Sequence, residues 1–437
     1  MIPVQILSRR RASGSIYGVE RLRNVADPSF TYLIGDMDLH SSLPLQNQIR
    51  PCKSNDARQV VNFLDPTDLR KNTDGTTSVI DGTDGLDVMC YNPGLWAIFG
   101  GSDPIYERWI ISDSYFTYGA DEAIEINPFL ETPDNCTIDR TSGKSKCVYS
   151  EVANLAGSGS GLTAGGLGYP RTSTSRYGYE IAAELKGAAW ESLSYIDLMY
   201  TACMMYIEYR TKNLKLTLGT GASNWGSAQW NAYNAYYPAF KILEAQLALS
   251  ATPAIIAKKH ITGIFTKHFE FPYLAGTQVY DTQRQVYRSK AILWGHIWSW
   301  RARVEMEVQS AAAGGKSLLY IAYPSTPIDK NRIDANFNFK DAYKLVGEVP
   351  RIDAWVKTIH TGTLAGNNLS GAGETTYACS YNWNSSLPAS GVVRRGFLFG
   401  ANLLGGGSCA LGSAYSNDAP SSASSIIGGG FRANVAG

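Results

Sequence analysis

The chain is 437 residues long and has almost no net charge: 39 Lys and Arg against 38 Asp and Glu leave +1. A near-neutral chain gives no electrostatic reason to bind nucleic acid or an anionic membrane. Charged residues make up 18% of the chain, below the roughly 25% usual in soluble domains. No apolar run reaches the roughly 18 residues that a spanning helix needs, so membrane insertion is not expected. The opening MIPVQILSRRR places its charges after a short apolar part, the reverse of a secretory signal. Histidine is scarce, with five residues (His40, His260, His268, His296 and His360) standing far apart, and neither H-E-x-x-H nor G-x-S-x-G occurs. A Ser/His/Asp triad could be assembled on paper from almost any such chain, so none is assigned. The seven cysteines (Cys52, Cys90, Cys136, Cys147, Cys203, Cys379 and Cys409) are odd in number and scattered, with no C-x-x-C. That pattern leads us to expect synthesis in a reducing cytoplasm, with buried and inert thiols. The sequons at Asn135, Asn368 and Asn384 are then irrelevant.

What the chain does have is glycine (43), tyrosine (26) and tryptophan (10). Aromatics mixed with Gly, Ser and Asn suit either a binding surface or a loop-rich β fold. Residues 1–30 read as an arm or attachment segment, with Arg9-Arg10-Arg11 as a solvated or subunit-contacting run. Residues 31–170 read as a β-rich part of the body. There TDGTTSVIDGTDGLDVMCY sets Asp-Gly turns between short apolar runs, a hairpin signal. The Gly/Ser-rich stretch Asn154 to Pro170 reads as a linker or long surface loop. Residues 171–437 open with two helices. RYGYEIAAELKG follows candidate N-caps at Ser173, Thr174 and Ser175 and stops at a Gly. WESLSYIDLMYTACMMYIEYRT sets Leu193, Ile196, Tyr200, Cys203, Met204 and Ile207 on one helical face. Beyond Leu216 the pattern is strand and loop, with clean alternation in VEMEV (Val304–Val308) and LLYIAY (Leu318–Tyr323). In the tail, Phe431, Ala433 and Val435 alternate with Arg432 and Asn434 behind Gly428-Gly429-Gly430. This predicts a closing strand inserted into a sheet made by earlier chain.

Three stretches look like ligand sites. AAAGGKSLL (Ala311–Leu319) carries half of a phosphate loop. It lacks the first glycine and the following helix, so it is expected to be a hairpin turn. GDMDLH would align Asp36, Asp38 and His40 as metal ligands if it were a strand, without a fourth partner. DGTDGLD (Asp81–Asp87) lacks the order of a calcium loop and reads as turns. No cofactor is expected.

Five pieces in order resemble one family. They are LHSSLPLQNQIRPC (Leu39–Cys52) with the Asp-Gly turns after it, GAAWESLSYIDLMYTACMMYIEYRTKN (Gly187–Asn213), GTGASNWGSAQWNAYNAYYP (Gly219–Pro238), VYRSKAILWGHIWSW (Val286–Trp300), and Val392 to Arg432. The family is the tail-associated phage proteins common in phages of gut Bacteroidales. Their body is a C-type-lectin-like domain, related to formylglycine-generating enzymes and to the variable proteins of diversity-generating retroelements. Two motifs depart from the family pattern. The usual Arg-Gly-Ile-Glu-Asn-Pro-Phe is here Arg288-Ser289-Lys290-Ala291-Ile292-Leu293-Trp294, and the usual Asn-Ser-Gln is Asn213-Leu214-Lys215. The cysteine pair and calcium site of the related oxygen-dependent enzyme find no counterpart, so that activity is not carried over.

The resemblance implies an α+β, C-type-lectin-like (formylglycine-generating-enzyme-type) domain with two helices, β-hairpins and large loop insertions, preceded by the short N-terminal segment. It implies a core holding Trp190, Trp298, Trp300 and Phe431. It implies a virion tail adhesin, made in the host cytoplasm, that recognises a bacterial surface receptor (a glycan or an outer-membrane protein) through its C-terminal loops. The candidate contact residues are Asn382, Trp383, Asn384, Phe397, Phe399, Asn402, Leu403, Leu404, Ser413, Tyr415 and Asn417. The N-terminal segment would dock to other virion proteins, and a homotrimer is expected, because several weak contacts then add up. The C-terminal hairpins become candidates for retroelement diversification. One alternative is a structural tail or head decoration protein whose loops only meet neighbours. Another is an enzyme acting on capsule polysaccharide, which would need carboxylates about 5–9.5 Å apart; none can be paired from the sequence.

Overall fold

The computed structural model describes residues 15–139, 142–148, 174–220, 263–271, 278–291, 293–295, 297–323, 337–358, 369–401, 405–424 and 427–436, with backbone alone for 263–271 and 278–284. Arg9–Arg11, the stretch from Asn154 to Pro170 and most of the Gly219–Pro238 motif lie outside these residues. The fold is mixed α+β and mostly β, 16% helix against 39% strand, with one sheet curled into a half-barrel.

Three sheets carry the body. The first is antiparallel, in the order Ile124–Ile126, Leu95–Gly100, Tyr106–Ser112, Tyr17–Leu22, Tyr32–Gly35. Tyr17–Leu22 is thus an interior strand, with Tyr17 and Val19 fully buried. The expected N-terminal arm is corrected here, because the part from Tyr17 onward belongs to the core. The second sheet runs Trp190–Ser192, Phe431–Asn434, Phe129–Glu131, Asp87–Asn92, Arg50–Ser54, Val60–Asp65, Asp68–Asn72. The third runs Lys344–Glu348, Ser317–Ile321, Trp298–Gln309, Val392–Phe399, Ala414–Tyr415, Ser380–Trp383, Ala354–Val356, and Ile427–Gly428 pairs in parallel with Trp298 and Ser299.

The tail is the closing strand that its alternation predicts. Phe431–Asn434 pairs with Phe129–Glu131 on one side and Trp190–Ser192 on the other. Its approach needs glycine. A Cβ on Gly429 would press on the Tyr179 ring at 3.0 Å, and one on Gly430 would meet Leu193 Cδ1 at 2.6 Å. The parts at 31–170 and 171–437 therefore share a sheet, and one apolar core runs from Tyr17 to Ala433. Trp190, Trp298, Trp300 and Phe431 are all within it.

The helix Tyr195–Tyr209 sits at the centre. Ser194 and Asp197 form a reciprocal capping box, and Arg210 closes the helix in a left-handed conformation (φ 56°). The expected one-sided face is corrected. Tyr195, Leu198, Met199, Met205 and Tyr206 are buried as well as the predicted set, so the helix is apolar all round, as a core helix must be. The expected start at Trp190 is also corrected: Trp190–Ser192 is strand, and the cap at Ser194 begins the helix. The helix Arg176–Glu184 starts from Ser175, whose hydroxyl accepts from Gly178 N at 3.1 Å.

Ion pairs are buried where the closing strand meets this helix. Arg432 Nη1 donates to Glu191 Oε1 at 2.9 Å, and its Nε lies 3.1 Å from Asp197 Oδ1 without hydrogen-bond alignment. Arg303 Nε holds the other oxygen of Glu191 at 2.9 Å, and Lys290 Nζ holds Glu131 at 2.5 Å. Burial pushes the Asp197 carboxyl up, while Arg432 pulls it down.

The three candidate ligand stretches resolve into turns and caps. GDMDLH is not a strand. Asp36 caps the helix Met37–Ser42 through Asp38 N, and buried His40 bonds Ile34 O through Nε2 at 3.0 Å, so no metal-ligand row forms. Asp81 and Asp84 accept from Thr83 N and Leu86 N at 3.0 and 3.1 Å, the turn geometry read from the sequence. The AAAGGKSLL stretch joins Trp298–Gln309 to Ser317–Ile321 as a hairpin, with Ser310 capping its 3₁₀ turn.

Candidate functional site

The predicted contact residues fall on the third sheet, and strand periodicity divides them. Along Ser380–Trp383, Ser380 and Asn382 are buried while Tyr381 and Trp383 are half-exposed. Successive side chains point to opposite faces, so Tyr381 and Trp383 share the outer face. Pairing extends this face on both sides: Trp355 lies opposite Tyr381, and Tyr415 lies opposite Trp383. All four rings are half-exposed. They form a stripe across three strands, with ring centroids 5.5 Å apart for Trp355–Tyr381 and 4.6 Å for Tyr381–Trp383. Buried Trp298 flanks it on the same face, edge-on to Trp383 at 5.3 Å and tilted to Tyr415 at 5.6 Å. Such edge-to-face contacts fix ring orientation.

The rim is polar. Asp353 accepts from Asn384 N at 2.8 Å and Ser385 Oγ at 2.9 Å. Asn417 Oδ1 accepts from Ser386 N at 2.9 Å, tying the segment after Trp383 to the segment after Tyr415. The Lys215 ammonium lies 5.3 Å from the centre of the Trp355 ring. Burial raises both phenols, helped by Asp353 at Tyr381 and Asp418 at Tyr415. Each therefore keeps its proton at neutral pH and can donate. Burial also raises Asp418, against a lowering by Arg395. The arrangement offers flat apolar faces flanked by hydroxyl, amide and carboxylate groups.

The inner-face candidates require correction. Phe397 and Phe399 are each 4% exposed and stack on each other with centroids 5.8 Å apart. Phe399 also packs against Tyr195 of the central helix at 5.4 Å. With Asn382 they line a partly open hollow of about 30 Å³, room for a water or two. Asn382 Nδ2 has no hydrogen-bond partner among the described residues. Asn384 is fully buried and donates from Nδ2 to Pro350 O at 2.7 Å. Ser413 is fully buried and bonds Ser408 O at 2.5 Å while accepting from Tyr381 N at 3.1 Å. These five residues build the sheet rather than its surface. Asn402, Leu403 and Leu404 lie outside the described residues. Asn417 is half-buried at the rim.

Trp383 and Tyr415 thus stand together, and Trp355 and Tyr381 join them. A signal for Tyr381 was present two residues before Trp383. Trp355 carried none, because only the pairing of its strand with Ser380–Trp383 brings it alongside. Compared with known proteins, the chain matches no family model and no curated sequence.

Proposed function

We propose that this chain is a phage virion protein with a C-type-lectin-like body that attaches to the bacterial cell surface through the stripe Trp355, Tyr381, Trp383 and Tyr415. The observation that carries the reading is the stripe itself: four half-exposed aromatic rings on one sheet face, held by Trp298 and fringed by polar groups. Adjacent aromatic residues held at a fixed, partly open surface are the usual anchors of an interface. The lectin-like reading is supported by a late strand that completes a sheet begun by early chain, together with the ordered motifs described above. Contact needs no metal or cofactor in this reading. Tyr17 onward is committed to the sheet, so docking to other virion proteins falls to the residues before it. A homotrimer would multiply the weak contacts of single stripes.

The test is adsorption. Purified chain is incubated with host cells, phage is added, and free phage is counted. The same is done with a variant carrying Trp383→Ala and Tyr415→Ala. Wild type is expected to block adsorption and the variant to lose the block. If the folded variant blocks as well as wild type, the stripe is not the attachment face. If neither blocks and the stripe is covered on the particle by another virion protein, the decoration reading replaces this one.

A further inference from the structure

We propose that Cys136 and Cys147 form a cross-strand disulfide, a modification site that closes the hairpin clamping the tail. The argument starts from register. Thr137–Ile138 pairs with Ser145–Lys146 as Thr137 opposite Lys146 and Ile138 opposite Ser145. The pairing ends there, and the same register carried one step further out sets Cys136 opposite Cys147. The hydrogen bonds identify the kind of pair. Asp139 N donates to Lys144 O at 2.9 Å while Asp139 O takes Gly143 N, so 139/144 carries one of the two bonds of a hydrogen-bonded position. Alternation along an antiparallel ladder then makes 136/147 a pair without mutual backbone bonds. Both amides agree with this: Cys136 N donates to Gly429 O at 2.8 Å and Cys147 N donates to Asp87 Oδ1 at 2.7 Å. Such pairs bring Cα atoms to about 4.5 Å and side chains closer than their neighbours, inside the roughly 4.4–6.8 Å span that a disulfide bridges. Both side chains are fully buried and belong to the same apolar core. In this structure no disulfide joins any of the seven cysteines.

The position gives the bond a purpose. Residues 132–136 hold the tail: Thr132 N bonds Phe431 O and Cys136 N bonds Gly429 O. Cys147 O accepts from Val88 N. A link from Cys136 to Cys147 therefore ties the segment that grips the closing strand to the strand Asp87–Asn92. The chemistry is thiol–disulfide exchange with oxidised glutathione. One thiolate attacks a glutathione sulfur and expels a glutathione thiolate. The second cysteine attacks the mixed disulfide and expels the other. Two protein thiols and one glutathione disulfide become one protein disulfide and two glutathione thiols, the latter taking the two protons. Both thiols are buried once the chain has folded, so the bond closes while the chain folds.

The full chain is produced in two cytoplasms, one reducing and one lacking its thiol-reducing pathways, so that the bond can form during folding and burial is no barrier. Each sample is acid-quenched, unfolded, alkylated and cut with trypsin without reduction. Cleavage at Arg140, Lys144 and Lys146 separates the two cysteines. The oxidised sample is expected to show the peptide ending at Arg140 joined to the peptide beginning at Cys147, with the other five cysteines alkylated. Its thermal midpoint is expected to rise by a few degrees over the reduced sample, and a variant with Cys136→Ser and Cys147→Ser should lose that difference. Full alkylation of both cysteines in both samples, or linkage of either one to another cysteine, overturns the proposal. The readout is independent of receptor binding, so it stands or falls apart from the adhesin reading.

Discussion

Replacing Arg432 by Met should be among the most damaging single changes in the closing strand, and the damage should depend on pH. Arg432 is 8% exposed. It bonds Glu191 at 2.9 Å, sits 3.1 Å from Asp197, bonds Asn434 at 2.8 Å and lies 4.8 Å from the centre of the Phe129 ring. Glu191 keeps Arg303 in the variant, but Asp197 loses the cation that most favours its charged form. Removing one partner of a buried ion pair costs about 3–5 kcal/mol, because the other charge is left behind. Met matches the Arg stem in length, so little of the loss is packing. The sign with pH follows from Asp197. Its folded carboxyl is already raised above the unfolded value of 3.8, and losing Arg432 raises it further. The folded variant then binds a proton that the unfolded chain has released, so stability falls as pH rises from near 3.8 toward neutrality. Thermal unfolding followed by tryptophan fluorescence at pH 4.5 and pH 7.5 reads this. The variant should lose much more at pH 7.5 than at pH 4.5, relative to wild type at each pH. An equal loss at both, or a cost under about 1 kcal/mol at pH 7.5, would refute the claim that Asp197 is stranded.

Other changes follow the same packing. Gly430→Ala sets a methyl against Thr132 Oγ1 and Leu193; it should cost about 1–3 kcal/mol by overpacking, read as a lower thermal midpoint. Ser194→Ala removes both the cap of the central helix and a partner of Asp197, and should cost about 1–2 kcal/mol in the same assay. Phe399→Ala empties a site between Tyr195 and Phe397. It should cost about 3–5 kcal/mol and reduce cell binding only in proportion to the protein that unfolds, whereas Trp383→Ala should cost less stability than that and abolish binding.

Much of the local structure was legible because local rules decide it. The N-cap at Ser175, the turn aspartates at Asp81 and Asp84 and the alternation of the tail all follow from neighbours within a few residues. What was not legible depends on chain brought in from far away. Alternation placed Phe431 inward but could not show that Arg432 is also covered, because its partners Glu191 and Asp197 lie more than 230 positions earlier. The same holds at the candidate site. Period two separates Tyr381 and Trp383 from Asn382, but only the cavity beneath and the strand Ala354–Val356 beside them say which set faces out. Composition therefore grouped Phe397 and Phe399 with Trp383, although they occupy opposite faces of one sheet. The strand on which a metal row at GDMDLH depended does not form, for a local reason: Asp36 can cap a helix as readily as it can sit in a strand.

The most direct test of the attachment face is hydroxyl-radical footprinting of intact particles, free and bound to host cells, with modification read at Trp355, Tyr381, Trp383 and Tyr415. The account predicts that all four rings are modified on free particles and protected on attached ones, with buried Phe397 and Phe399 protected in both. Rings already protected on free particles, or modified equally in both states, would contradict it.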